Sequence, residues 1–184
     1  MSVSLSQCVE RLAKLGLRCT ELPTDRLSSP LAALACFPMY MVANVHAWTT
    51  DRQFRVPLLD LPGAEHIRES FEIGKQESAL EMTKEHRRVV GSLLTQAKPP
   101  DLVIYEYALD TLKGVLPLLS PALADQVRAA IARMIVAVAN VSGEGLLGTG
   151  EKTSPEEKAC IAQIDRELSL SASPRAAEAL KIVG

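Results

Sequence analysis

Apolar residues recur along this chain at the three- and four-residue steps that mark one face of a helix. Leu5, Cys8, Val9, Leu12 and Leu15 form the first such run, and Gly16 is placed to stop it. Ser29 opens the second, in which residues 31–48 carry no formal charge and read as one buried central helix. Residues 50–63, with Pro57 and Pro62, read as a connection. Residues 64–97 are charge-rich, with Ile67, Phe71, Leu80, Met82, Val89, Val90, Leu93 and Leu94 as their apolar marks. As a single helix they would run about 51 Å at 1.5 Å per residue, so a break near 74–78 is expected. Leu102, Tyr105, Leu109, Leu112 and Leu116 define a one-faced helix ended by Pro117. From Ser120, the residues Leu123, Val127, Ile131, Met134, Ile135 and Val138 define another. A Gly-rich connection at 142–153 leads to a helix marked by Ile161, Ile164 and Leu168, and a short helix follows Ser173.

Ser-Pro pairs punctuate these runs at Ser29-Pro30, Ser120-Pro121, Ser154-Pro155 and Ser173-Pro174. A serine cap accepts from an orphan amide, and proline at the first helical position pre-sets φ. Glu157 completes a capping box at Ser154, which makes that start the most strongly marked. The expectation is an all-α fold: a single compact bundle of about seven helices over residues 1–184. Val42-Ala43-Asn44-Val45 recurs as Val138-Ala139-Asn140-Val141. As a duplication this echo would make the bundle two pseudo-repeated halves, although four residues also recur by chance in so Ala/Val-rich a chain.

Composition narrows the function classes. The chain is 47% hydrophobic and 4% aromatic, with a net charge of −2. That balance favours helix over sheet and excludes the basic surface of a general nucleic-acid binder. Residues 31–48 are short of a membrane span and interrupted by Pro38, Asn44 and His46, so no transmembrane segment is expected. The N-terminus lacks a secretory pattern. Cys8, Cys19, Cys36 and Cys160 show neither CxxC nor metal-finger spacing, so they are read as buried thiols of a cytoplasmic protein. The apolar segment suits a homodimer core as well as a monomer core.

Candidate chemistry concentrates in the Gly-rich connection, SGEGLLGTGEKTSPEE from Ser142 to Glu157. Gly145 and Gly150 have the GxxxxG interval of a phosphate loop, and Lys152-Thr153 follow, but Glu151 stands where the lysine belongs. Gly143, Gly148 and the helix start at Ser154 complete the candidate ligand-binding set of Ser142, Gly143, Glu144, Gly145, Gly148, Gly150, Lys152 and Ser154. A helix N-terminus at Ser154 can hold an anion, with Glu156 and Glu157 competing for it. The acids near the loop lack the alternate spacing of an EF-hand.

Elsewhere the motifs fail. His46 lies on the apolar segment and reads as a core histidine. His66 and His86 sit among Glu65, Glu69, Glu81 and Glu85, which reads as a solvated, ion-paired helix face. Gly63 and Thr83 stand where an ExxH di-iron pattern needs glutamate. HExxH and GxSxG are absent, and Arg87-Arg88 is too short for a nucleic-acid patch.

Residues 137–170, AVANVSGEGLLGTGEKTSPEEKACIAQIDRELSL, resemble the tellurite-resistance TerB-like group of small helical bacterial proteins. The likeness lies in an alanine-rich helix, a glycine-containing turn, a Ser-x-x-Glu cap, and a helix that ends in a Leu-containing turn. It implies a TerB-like core within 29–170 and a stress-linked or membrane-complex-associated module without catalysis. The family's Asp-Gly acidic turn, associated with divalent metal, is not reproduced here: Ser142 precedes Gly143, and the other half has only Thr50-Asp51. If a metal is held, Glu144 and Glu157 are the candidate ligands; no other cofactor is implied. The expected function is binding of a partner protein, small ligand or ion through residues 142–153. The alternative is a nucleotide- or phosphate-dependent protein using Gly143 to Thr153 with Lys152.

Overall fold

The computed structural model describes residues 3–50, 72, 80–96, 102–142 and 153–183. Helix α1 (Leu5–Lys14) starts at a capping box in which Ser4 and Gln7 each accept the other's backbone amide. It closes where Gly16 takes a positive φ of 80°, a conformation that glycine adopts without a Cβ penalty. Cys8 and Leu12 face inward, and Leu15 lies just beyond the helix as its C-cap.

The uncharged stretch is two helices rather than one. Helix α2 (Ser29–Ala35) ends at Cys36, and α3 (Phe37–Thr50) begins at once. Pro38 explains the break: it has no N–H to give the Leu34 carbonyl, and its ring would crowd that carbonyl in a continuous helix. Both pieces remain core: every residue from Leu31 to Ala43, Pro38 included, is buried. The cap of α2 is also displaced from expectation. Ser28, not Ser29, is the N-cap and makes no side-chain capping bond, which leaves Ser29 free to bond elsewhere.

Helix α4 (Lys84–Gln96) packs on α2. Helix α5 (Leu102–Val115) passes into a short 3₁₀ turn at Leu116–Leu118, where Pro117 ends the α-helical ladder as expected. Helices α6 (Pro121–Ser142), α7 (Pro155–Leu168) and α8 (Pro174–Leu180) complete the chain. All four Ser-Pro pairs therefore stand at or beside a helix start. Ser120, Ser154 and Ser173 each accept a first-turn amide, from Leu123, Glu157 and Ala176 respectively. The fold is an all-α bundle, with eight α-helices among the described residues.

Helix α3 is the hub: α5, α6 and α7 all pack on it. Phe37 meets Tyr40 and Tyr105 edge-on at ring separations of 6.2 and 6.4 Å, and all three rings are buried. Helix α1 packs on α5, and α8 packs on α6. The packing of α6 on α8 and on the end of α7 is polar as well as apolar. Ser173 donates to Asp125, and the Arg128 side chain donates to the Leu168 carbonyl at 3.1 Å. The two VANV segments lie on α3 and α6, which are in contact. No described helix is long and apolar enough to cross a membrane.

Candidate functional site

The Gly-rich connection is framed by two fixed points. Ser142 is the last residue of α6, and Ser154 is the N-cap of α7. Gly143, Glu144, Gly145, Gly148, Gly150 and Lys152 lie outside the described residues, as do His66 and the expected break at 74–78. On the far side, Thr153 is 4% exposed, Glu157 is fully buried, Ser154 is half-buried, and Pro155 and Glu156 face solvent.

The expected capping box is present. Ser154 Oγ accepts from the Glu157 amide at 3.2 Å, and Glu157 Oε2 accepts from the Ser154 amide at 2.8 Å. Pro155 occupies the first helical position, where an amide would have no intrahelical partner. Two donors that an anion would want are thus bonded to the chain itself, and a carboxylate already sits at the positive end of the helix. Of the two candidate metal ligands, Glu157 is committed to this cap and Glu144 lies outside the described residues. Among the described residues, no group of three or more His, Cys, Asp or Glu side chains is placed to hold a metal ion.

One turn on from the cap, Cys160 is 8% exposed. Burial, reinforced by the negative charge of Glu157, pushes its thiol up to about 12 from an ordinary 9.0. Burial likewise raises the Cys8 and Cys19 thiols. Cys8 and Cys160 are buried, as expected of apolar fillers, whereas Cys19 departs from that expectation and is only half-buried. A raised folded-state value means that the native protein holds its proton where the unfolded chain has lost it. The Cys160 contribution is therefore complete below pH 9 and is lost as pH rises from about 9 to 12. Cys160→Ala should flatten the alkaline fall in stability relative to the parent protein, measured by denaturant unfolding at pH 8 to 11. Parallel curves would contradict the assignment.

A groove of about 430 Å³ is lined by Val3, Arg11, Asp110, Lys113, Pro117 and Leu118. Its charges are compensated: Arg11 pairs with Asp110 and Lys113 with Glu167, each at 2.6 Å. The hydrogen bond and charge of Glu167 raise the Lys113 ammonium and lower the Glu167 carboxyl in return. Both groups face solvent, so the pair contributes little to stability.

His86 departs from the solvated face that the sequence suggests. It is 7% exposed, and Glu81 precedes the helix rather than sharing a face with Glu85. The Nδ1 atom lies 2.6 Å from Ser29 Oγ, and Nε2 lies 3.2 Å from the Arg18 carbonyl oxygen. The Thr83 amide donates to Ser29 Oγ at 2.8 Å, and Thr83 Oγ1 accepts from the His86 amide at 3.3 Å. Ser29 and His86 are far apart in the chain and carry no joint motif. The only local sequence signal is threonine three residues before the histidine, which is a helix-cap spacing.

No family model, curated protein or solved structure matches the chain.

Proposed function

We propose that this chain is a non-catalytic helical module that acts by binding a partner protein, with residues 142–153 as its contact surface. The observation that carries the proposal is the capping box at Ser154 and the buried Glu157. It anchors one end of the Gly-rich segment in a helix packed on α3, while α6, packed on the same helix, anchors the other. A segment rich in glycine between two helices that both pack on α3 lets a partner approach its backbone closely. The buried thiols of Cys8, Cys36 and Cys160 fit a reducing compartment such as the cytoplasm. The likeness of residues 137–170 to the TerB-like group adds a stress-linked role to the same proposal.

The cap also weighs against the nucleotide alternative. A phosphate at the α7 N-terminus would meet the Glu157 carboxylate and amides already bonded within the chain. A thermal-shift panel with EDTA, calcium, magnesium, zinc, ATP and GTP separates the two. The binding-module proposal expects the melting temperature to hold steady across the panel. A rise of several degrees with ATP or GTP plus magnesium, lost on Lys152→Ala, would establish the phosphate reading instead.

A further inference from the structure

The Ser29–His86 contact meets the geometric requirements of a base-assisted nucleophile. The Arg18 carbonyl can only accept, so the Nε2 atom facing it carries the ring hydrogen and Nδ1 of the neutral imidazole presents its lone pair. Ser29 Oγ, at 2.6 Å, then donates its proton to Nδ1 in preference to the more distant Thr83 hydroxyl at 3.3 Å. The arrangement has three members: a hydroxyl, an imidazole within hydrogen-bond reach, and a third group that fixes the ring. The Thr83 amide, donating into Ser29 Oγ, stabilises the negative charge that develops there as the proton leaves. Helix geometry adds the access. His86 is buried, whereas Ser29 is only half-buried, at the first turn of α2.

We propose that Ser29 is a nucleophile activated by His86, able to accept an acyl group from an activated ester. The hydroxyl oxygen attacks the ester carbonyl carbon, and its proton passes to His86 Nδ1. The bond to the leaving alkoxide or phenolate breaks, giving acyl-Ser29 and the free leaving group, with no change of oxidation state. A stable acyl-serine is sufficient, and turnover is no part of the proposal. It stands independently of the partner-binding role assigned to residues 142–153.

The test uses the full chain and p-nitrophenyl acetate, read by intact mass and peptide mapping. Ser29 should be the acetylated serine, and the exposed Ser6, whose side chain bonds the Ser4 hydroxyl, is the internal comparator. His86→Gln should slow labelling of Ser29 by about 100-fold, the usual scale of general-base assistance. His86→Ala should recover part of the rate when imidazole is added, a response that a purely structural histidine would not give. Helical circular dichroism checks that each variant folds. Labelling of Ser29 no faster than Ser6 in the unaltered protein would overturn the proposal without any variant. Unchanged labelling in a folded His86→Gln protein would overturn it equally.

Discussion

Phe37→Ala should be the most damaging single truncation considered, with a loss of about 4 kcal/mol in stability. Phe37 is fully buried at the start of α3, next to the point where Pro38 divides the central helices, and its ring is edge-on to Tyr40 and Tyr105. Removing it leaves a void between α3 and α5 and strips two aromatic contacts at once. Neither neighbouring ring is free to fill the space, because both belong to the same close-packed layer. For a chain of this size the melting temperature should fall by about 8–16 °C. Phe37→Leu, which keeps most of the volume, should cost well under half as much. Equal losses for the two variants would show that ring packing is not what holds α3 against α5.

Glu157→Ala should have the second-largest effect, about 2 kcal/mol. The substitution does more than delete a surface charge. It leaves the half-buried Ser154 amide without its acceptor and empties the space of a fully buried side chain. It also dismantles half of the capping box at the start of the helix that packs on α3 and α5. Glu157→Gln retains an acceptor oxygen and should recover much of the loss. Ser154→Ala should cost about 1 kcal/mol through the reciprocal bond. Thermal unfolding of the three variants gives the ranking. An unaltered melting point for Glu157→Ala would mean that its carboxylate is not the cap.

Much of the fold is legible in the sequence because bundles are built from local signals. Helical spacing of apolar residues, serine caps and proline starts are all short-range, and they locate α1 and α5 to α8 closely. The division between α2 and α3 is local too, but apolar continuity through residues 31–48 masks the effect of Pro38. The shift of the α2 cap from Ser29 to Ser28 has a different origin. Ser29 bonds to His86 on another helix and to Thr83 just before that helix begins, and no local rule anticipates partners so far along the chain. The same distance hides His86 itself. Flanking acids give it the look of a solvated residue, while its burial is set by packing of α4 on α2. At the candidate site the reverse holds. Ser154-x-x-Glu157 is a local pattern and is found in place, whereas any contribution of Gly143 to Lys152 depends on residues outside the described set.

The most direct test of the partner-binding account is affinity capture with the intact chain against a Gly145→Ala/Gly148→Ala double variant. Both proteins are immobilised at equal density, exposed to the same cell extract, and the bound proteins are quantified by mass spectrometry. The account predicts a partner retained by the unaltered chain and lost from the double variant, with the helical circular dichroism and melting temperature of the two proteins the same. Equal capture by both would contradict it and remove residues 142–153 from the binding surface.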